Sequence, residues 1–288
     1  MLPMPHVNLR QGRIDYEERG GGRPVVFVHG YLMGGEIWHD VADRLAPHGL
    51  RCIMPTWPLG AHTTPRTDAA DATIDGVAAT IAAFLDALDL RDVVLVGNDS
   101  GGALSQLVAT RHPERLGALV LTNCDAFEAF PPAPFSLLPA AARIPGFVRA
   151  ALLPMRSRAV RRSRFGLAAF SHADIDHLFQ RWLRPAREDP RVLRDLVRFT
   201  TSIDKRATIE AGRRLHAFDR PVLLAWGTDD PFFKLRLAER LRDTFPDARL
   251  ETLAARAFVM VDRPDELAGL IAEHAASTGA GAAGAAAA

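Results

Sequence analysis

The sequence predicts an α/β protein in which helices flank a mostly parallel central sheet. Short apolar runs that are typical of buried parallel strands alternate with segments of helical periodicity, an order that favours this fold class. A length of 288 residues is sufficient for a full hydrophobic core. A composition of 48% hydrophobic and 24% charged residues is typical of a soluble globular protein.

The first part of the core is predicted over residues 1–125. Four apolar runs predict strands at residues 23–30, 50–55, 92–97 and 117–123. The segments between them carry apolar residues at helical spacing and predict helices at 36–46, 73–89 and about 102–111. Thr73 stands where the second of these helices begins, and its hydroxyl is suited to cap the helix N-terminus.

The regular alternation stops at residues 126–216. This segment begins proline-rich and continues with helical patterns, which predicts a helical lid inserted between two strands of the sheet. The second part of the core, residues 217–275, is predicted to hold strands at 221–227 and 249–254 and helices at about 232–243 and 265–275. Residues 276–288 are rich in alanine and glycine and predict a disordered, low-complexity tail.

The charges of the chain nearly cancel. Thirty-five basic and 34 acidic residues leave a net charge of +1, so neither a nucleic acid nor a membrane is expected as a partner. The arginine-rich run at 156–164 is interpreted as a solvated helix face. Cys52 and Cys124 lie in apolar runs and are expected to be reduced core residues. Without a signal-peptide pattern or an apolar run of about 20 residues, we expect a cytoplasmic protein, either a monomer or a homodimer.

The stretch "VGNDSGG" contains two candidate nucleophiles, Asp99 and Ser100. In a nucleophile elbow, small residues stand two positions before and after the nucleophile, because neighbouring backbones approach closely there. Gly97 and Gly101 satisfy this pattern for Asp99, whereas Ser100 would have Asn98 at the first small position. The alternative is an ordinary turn that only caps a helix. The pattern favours Asp99 as the nucleophile, with Ser100 supplying the backbone N–H that follows it.

Two further motifs accompany the elbow. "VFVHGYLMGG" at 26–35 precedes it, and "LLAWGTDDPFF" at 223–233 follows the predicted lid. Together the motifs resemble those of the α/β-hydrolase fold, over roughly residues 7–275. With an aspartate at the elbow, the chain is similar to the haloalkane dehalogenases and epoxide hydrolases of that fold. The resemblance implies that Asp99 attacks an electrophilic carbon and that the resulting ester is then hydrolysed.

The resemblance also assigns an oxyanion turn to His29 and the glycine after it. It implies that the N–H groups of Tyr31 and Ser100 converge on negative charge. The chain differs from both the haloalkane dehalogenases and the epoxide hydrolases in residues that these enzymes use to assist the leaving group. Many haloalkane dehalogenases hold the halide with a tryptophan and an asparagine where this chain has Ser100 and Tyr31. Epoxide hydrolases of this type use two lid tyrosines, but the two tyrosines here, Tyr16 and Tyr31, both lie outside the predicted lid.

Two more residues follow from the resemblance, and a third candidate lies in the predicted lid. Asp230 matches the acid whose role is to orient and stabilise a catalytic histidine. Asp125 is a second candidate for this acid, because some dehalogenase-like members carry it at the end of that strand. Trp182, in the predicted lid, is a candidate substrate-binding residue.

The catalytic histidine that the resemblance implies is missing. It would precede the Phe-Val pair of "AARAFVMVDRPDEL", where this chain has Ala257. Since an alkyl-enzyme ester needs a base to activate water, the chain is not an ordinary Asp–His–Asp hydrolase. Three alternatives are open: the histidine was replaced in this sequence, another histidine substitutes, or the chemistry is non-hydrolytic or absent. His62, on a loop after a predicted strand, is the first substitute, although a loop histidine is more often only solvated. His172, His177 and His216 are others.

These observations predict an α/β-hydrolase-fold enzyme that acts on a small, largely apolar substrate through an ester on Asp99. The sequence shows no metal cluster, phosphate loop or dinucleotide fingerprint, so neither a metal nor a cofactor is expected. Two other functions remain open. One is a lyase, isomerase or cyclase that needs only a positioned carboxylate in a dry pocket. The other is a non-catalytic small-molecule binding protein.

Overall fold

The computed structural model describes residues 4–163 and 169–285 and contains one eight-stranded sheet. The strands lie in the order β1-β2-β4-β3-β5-β6-β7-β8. Their bounds are β1 His6–Leu9, β2 Gly12–Arg19, β3 Arg23–Val28, β4 Leu50–Pro55, β5 Val93–Asp99, β6 Leu116–Cys124, β7 Val222–Gly227 and β8 Ala248–Leu253. The mostly parallel sheet predicted from the sequence is confirmed.

The parallel part of the sheet consists of β3 to β8, which are the six strands predicted from the apolar runs. Central strands such as β5 and β7 are buried along almost their whole length. A strand that is covered by helices on both faces needs apolar residues at nearly every position, and this is why the sequence identifies these strands so clearly.

The first two strands, β1 and β2, are absent from the sequence-based prediction. Both pair antiparallel at one edge of the sheet. In β2 only alternate residues are buried, including Ile14 and Tyr16, while charged residues occupy the other face. An edge strand with one solvated face gives a weak alternating pattern instead of an apolar run, so its signal is harder to detect.

Helices cover both faces of the sheet and fill the segment between β6 and β7. The capping role of Thr73 is confirmed, because its hydroxyl accepts a hydrogen bond from the Gly76 N–H at 3.1 Å. The bounds are α1 His39–Leu45, α2 Ile74–Ala87, α3 Ser100–Arg111, α4 Leu138–Ala141, α5 Phe147–Leu152, α6 Arg158–Arg161, α7 Asp176–Glu188, α8 Pro190–Ser202, α9 Lys205–Arg214, α10 Leu235–Thr244, α11 Val259–Asp262 and α12 Pro264–Ala285.

The segment 126–216, here called the helical insertion, contains α4 to α9 and no β-strand among its described residues. The interpretation of its arginine-rich run as a solvated face is wrong for Arg161. That side chain is buried, and it donates two hydrogen bonds to Asp176, at 2.6 and 3.0 Å. A carboxylate that accepts both bonds makes burial of a guanidinium possible. Arg164, at the end of the run, lies outside the described residues.

The last helix, α12, is longer than predicted and continues to Ala285, through most of the segment expected to be disordered. Alanine has the highest helix propensity, so an alanine-rich extension of an existing helix favours helical structure. Residues 286–288 lie outside the described ranges. Cys52 and Cys124 are free and buried, as expected. None of the helices in the described ranges combines the length and apolar character that a membrane crossing requires.

Candidate active site

Asp99 stands at the junction between β5 and α3. Its backbone has φ +56° and ψ −134°, a conformation that is strained for a residue with a side chain. The turn points the carboxylate away from the strand end and into the space beneath the helical insertion. This is the geometry of a nucleophile elbow centred on Asp99, and Ser100 is the first residue of the helix.

The two glycines of the elbow are required by close backbone approaches. A Cβ on Gly101 would lie 2.2 Å from the Val28 carbonyl oxygen of β3. A Cβ on Gly97 would lie 2.5 Å from the hydroxyl oxygen of Ser105 in α3. Gly97 and Gly101 therefore let α3 pack directly against the strand ends, and this packing fixes the position of Asp99.

One oxygen of the Asp99 carboxylate, Oδ1, is held by backbone N–H groups from two separate loops. It accepts hydrogen bonds from the Tyr31 N–H at 3.1 Å and from the Ser100 N–H at 2.7 Å, and the Ser100 hydroxyl lies 3.2 Å away. The other oxygen, Oδ2, accepts no hydrogen bond from the described residues. Removal from bulk water raises the pKa of Asp99, and the N–H donors of Ser100 and Tyr31 oppose that rise.

Asp99 lines a cavity of about 290 Å³ between the sheet and the helical insertion. The volume lies near the lower end of the range for ligand pockets, about 300–1,000 Å³. Its wall is almost entirely apolar, and no histidine contributes to it in the described part of the chain. The apolar wall comes mainly from the helical insertion and includes Phe130, Phe135, Leu138, Val148, Leu152, Met155, Phe170, Phe179, Leu183 and Ile203.

Asp125 directly follows β6 and lines the same cavity as Asp99. Only 2% of the residue is exposed to solvent, and its Oδ1 has no hydrogen-bond partner among the described residues. Burial and the nearby Asp99 charge raise the pKa of Asp125 well above its usual range. The structure therefore joins Asp125 to the elbow, in contact with the cavity, and not to Asp230.

Asp230 lies after β7 and outside the cavity wall. Its Oδ2 accepts a hydrogen bond from the Asn123 side chain at 2.7 Å, and its Oδ1 accepts one from the Phe232 N–H at 2.7 Å. Burial is the main cause that raises the pKa of Asp230 to about 6. Asn123, which the sequence analysis missed, also bonds the Gly227 backbone. The signal that could have identified Asn123 is its place in the apolar run of β6, because a buried polar side chain needs a hydrogen-bond partner.

Ala257 is fully buried, and its side chain does not reach the cavity. Its carbonyl oxygen accepts a hydrogen bond from the Asn98 side chain at 2.9 Å, which ties this loop to the elbow. The next residue, Phe258, lines the cavity and stacks on Phe170 with ring centroids 5.2 Å apart. The loop is thus anchored beside the elbow although it carries no imidazole there.

His29 has a structural environment. Its Nε2 accepts a hydrogen bond from the Trp57 N–H at 2.8 Å, so the proton is on Nδ1, which donates to the Gly30 carbonyl at 2.9 Å. Burial lowers the pKa of His29 to about 4. The neutral ring holds the turn that presents the Tyr31 N–H to Asp99, and both ring nitrogens are already engaged.

The other candidates lie away from the cavity. His62 is buried 3.5 Å from Asp195 of the helical insertion and lines a surface groove, not the Asp99 cavity. Trp182 is also buried and borders that groove, and it packs edge-on against Phe179 at 4.9 Å between ring centroids. His172 lies 3.1 Å from Asp229 at the protein surface. The structure therefore brings none of these three side chains to Asp99.

No group of three or more histidine, cysteine, aspartate or glutamate side chains in residues 4–163 and 169–285 could hold a metal ion. Among the residues that the structure describes, the polar groups at the cavity are instead two carboxyl groups, two backbone N–H groups and two hydroxyl groups. Such a set can position a carboxylate for attack on an apolar electrophile and stabilise negative charge at Asp99 Oδ1.

A family model described as alpha/beta hydrolase fold matches residues 23–264. The chain belongs to the α/β-hydrolase fold family. Among relatives of this hydrolase-fold protein, "Haloalkane dehalogenase 2" of Mycobacterium tuberculosis is 28% identical over 276 residues, which cover 92% of each chain. "Non-heme chloroperoxidase CPO-A1" of Kitasatospora aureofaciens is 37% identical over 122 residues, 42% of this chain and 44% of that protein.

The fold is also found among solved structures. The haloalkane dehalogenase DbeA from Bradyrhizobium elkani USDA94 superposes with a TM-score of 0.78 at 19% sequence identity, covering 97% of this chain and 99% of that one. At this identity the similarity supports the hydrolase fold alone. The predicted family resemblance is confirmed, and the roles of the site residues remain predictions.

The glycine at position 101 gives a test of the elbow packing. Gly101→Ala should lower the free energy of unfolding by about 1–3 kcal/mol, because a carbonyl oxygen of β3 must move away from the added Cβ. Gly269→Ala is the matched control: it lies on the exposed side of α12 with no atom within 4 Å of a Cβ, so it should stabilise by up to about 1 kcal/mol. Equal effects in chemical denaturation would contradict the close approach.

The raised pKa of Asp230 predicts a pH-dependent loss of stability. Between about pH 4 and pH 6 the folded state retains a proton that the unfolded state has released, so stability falls as pH rises through this window. Because the pKa of Asp230 is raised to about 6, the contribution is at most about 3 kcal/mol. Denaturation measured across this range should show a smaller fall for Asp230→Asn, because an amide does not titrate.

Asp229→Asn is the matched control for this experiment. It alters the exposed neighbour and keeps Asp230, so the fall should persist. A fall that is identical in wild type and Asp230→Asn would exclude Asp230 as its source.

Proposed function

We propose that the protein is an enzyme in which Asp99 attacks an electrophilic carbon of a small, largely apolar molecule and forms an ester. The observation that carries the proposal is the unequal state of the two carboxylate oxygens. Oδ1 accepts hydrogen bonds from the Tyr31 and Ser100 N–H groups, whereas Oδ2 has no partner among the described residues. A carboxylate held in this way has one oxygen free to act as a nucleophile in the apolar cavity.

In the first step, Oδ2 of Asp99 forms a bond to the carbon, and the leaving group departs with the electron pair of the broken bond. Oδ1 becomes the carbonyl oxygen of the ester and keeps the hydrogen bonds of Tyr31 and Ser100. No general base is needed, because a carboxylate is already the nucleophile. The apolar wall removes competing water from around Oδ2 and favours charge dispersal in the transition state.

In the second step, water attacks the carbonyl carbon of the Asp99 ester and negative charge develops on Oδ1. The bond from this carbon to Oδ2 then breaks, and the alcohol leaves with Oδ2 and takes up a proton. The Tyr31 and Ser100 N–H groups are then an oxyanion hole. What this step lacks is a histidine to take the proton of the water, since position 257 is alanine and no histidine lines the cavity in the described ranges. We therefore propose that the ester formed with an alkyl halide is long-lived in this protein.

The substrate class follows from the cavity and from the relatives. The wall is apolar and the volume of about 290 Å³ admits only a small molecule. The name of the relative that spans 92% of both chains, a haloalkane dehalogenase, favours an alkyl halide as the first electrophile to test. This chain has Ser100 and Tyr31 at the two positions where many haloalkane dehalogenases hold the halide with a tryptophan and an asparagine. The alkyl halide therefore serves here as a probe of Asp99 rather than as the assigned substrate.

The nucleophile is tested with a primary alkyl bromide and intact-mass measurement. The wild-type protein should gain one alkyl group, and peptide mapping should locate it on Asp99. Asp99→Asn should abolish the adduct, since the amide lacks a charged oxygen. Ser100→Ala should slow alkylation by less than about tenfold, because it removes one neutral hydrogen bond and keeps the backbone N–H. Loss of the adduct in Ser100→Ala but not in Asp99→Asn would overturn the assignment.

The role of position 257 is tested by restoring the histidine. Ala257→Hіs should release the alkyl group and give multiple turnovers with the alkyl bromide, with the Asp230 carboxylate orienting the imidazole. Loss of a catalytic histidine costs on the order of 10⁶-fold in kcat in a triad enzyme, so even partial recovery is measurable. Because Ala257 is fully buried, thermal unfolding must first establish that the variant folds. A folded variant that retains the adduct as long as wild type would contradict this role.

The two other functions give different mass changes of an incubated substrate. Hydrolysis adds water, a lyase or isomerase gives fragments or a product of equal mass, and a binding protein changes nothing. The absence of a histidine from the described cavity wall is the feature that favours the non-hydrolytic class. A substrate rearranged at equal mass without any adduct on Asp99 would replace the ester mechanism with that class.

A further inference from the structure

The cavity contains a second carboxyl group that the proposed mechanism has not used. Asp125 is fixed through its backbone: its N–H donates to the Asp99 carbonyl at 3.3 Å, and its carbonyl accepts from the Gln106 side chain at 2.9 Å. Its carboxyl group, in contrast, accepts no hydrogen bond from the described residues, and Oδ1 is buried. An unpaired carboxylate is costly in such surroundings, so the uncharged acid is the favoured form.

The hydroxyl groups at the cavity are already engaged as donors. The Thr200 hydroxyl donates to the Leu196 carbonyl at 2.7 Å, so the Tyr31 hydroxyl must donate to Thr200, also at 2.7 Å. The Ser100 hydroxyl donates to Asp99 at 3.2 Å. Within the described wall, the carboxyl group of Asp125 is therefore the side chain with an O–H available to a bound molecule.

The two carboxyl groups of the cavity differ in charge: Asp99 is the charged carboxylate and Asp125 is the neutral acid. Two N–H donors stabilise the charged form of Asp99, whereas no described residue donates to the Asp125 carboxyl group. Burial and the Asp99 charge both raise the pKa of Asp125. The arrangement keeps a charged nucleophile beside a neutral acid, as expected for two carboxyl groups in one apolar site.

We propose that Asp125 is an uncharged acid that gives its proton to the departing atom, and that the site therefore takes electrophiles with an oxygen leaving group, such as strained cyclic ethers. This inference rests on the proposed nucleophilic role of Asp99. An alkoxide is a strong base and needs a proton as it leaves, whereas a halide leaves as a stable anion. A proton donor at the cavity consequently accelerates the opening of an ether ring more than the displacement of a halide.

The first step balances without any further reagent. The Asp99 Oδ2–carbon bond forms, the carbon–oxygen bond of the ring breaks, and the Asp125 proton moves to the released oxygen. Asp99 loses its negative charge as an ester while Asp125 acquires one. The cavity thus carries a single negative charge before and after the step, and no second charge has to be desolvated.

The same step generates the base that position 257 does not provide. Asp125, now a carboxylate next to an uncharged ester, accepts a proton from the water that attacks the ester carbon. As the bond between the Asp99 carbonyl carbon and Oδ2 breaks, the diol leaves with Oδ2, which takes the second proton of that water. Asp99 is then again a carboxylate and Asp125 is again an acid. After alkylation by a halide, Asp125 has kept its proton and offers no base, so the alkyl ester persists.

The experiment compares 1,2-epoxybutane with 1-bromobutane on the full chain. For wild type we expect repeated conversion of the epoxide to a diol and a stable alkyl adduct from the bromide, both measured by mass spectrometry. Water labelled with ¹⁸O adds a second measurement, because hydrolysis at the ester carbon places the label in an Asp99 oxygen over repeated turnovers. Wild type that forms the bromide adduct but never opens the epoxide would overturn the inference.

Asp125→Asn tests the acid directly, since the amide keeps the shape and has no proton to transfer. Ring opening should fall by about 10²–10⁴-fold, the usual contribution of general acid catalysis. Alkylation by the bromide should fall far less, so the ratio of the two rates changes by at least about a hundredfold. Thermal unfolding establishes that the variant folds, and equal losses with both probes would overturn the inference.

The same measurements distinguish failure of the proposed nucleophile, Asp99, from failure of the proposed acid, Asp125. If neither probe modifies wild-type Asp99, or if Asp99→Asn is still modified at the same rate, the nucleophile assignment fails and the inference falls with it. If Asp99 is alkylated by the bromide and Asp125→Asn leaves the rate ratio unchanged, the nucleophile stands and only the role of Asp125 is rejected.

Discussion

The close approach of α3 to the ends of β3 and β5 is the constraint on which the site depends. At Gly101 a Cβ would meet the Val28 carbonyl at 2.2 Å, so the helix can start here only if this residue has no side chain. The turn at Asp99 that precedes it has a φ of +56°, a conformation that costs of the order of 1–3 kcal/mol and persists because the surrounding structure holds it. The hydrophobic burial of the central strands supplies the energy that maintains this strain.

The strained turn has a chemical consequence. It brings Asp99 Oδ1 between the N–H groups of Tyr31 and Ser100, which come from different parts of the chain. The neutral His29 ring fixes the first of these loops through the Trp57 N–H and the Gly30 carbonyl. The donors are therefore oriented before any ligand arrives, and no reorganisation is needed when charge changes at Asp99.

Around position 257, the neighbouring residues are held by hydrogen bonds of their own. Asp230 is held by Asn123 and the Phe232 N–H, and the carbonyl of Ala257 is held by the Asn98 side chain. Burial raises the pKa of Asp230, and its hydrogen bonds to the Phe232 N–H and the Asn123 side chain offset only part of that rise. Asp125 lines the same cavity as Asp99, so the titratable side chains of the described cavity wall are two carboxyl groups and a tyrosine.

The amino-acid pattern alone predicted the class of fold, the six parallel strands, the elbow at Asp99 and the alanine at position 257, because each depends on local spacing or on an apolar run. It missed β1 and β2, whose solvated face leaves only a weak alternation. Tertiary structure alone decided which polar residues meet. It joined Asp125 to Asp99 and Asn123 to Asp230, and it turned His62 toward Asp195 instead of the cavity. Such contacts join residues far apart in the chain, through strand order and helix packing that no local pattern encodes.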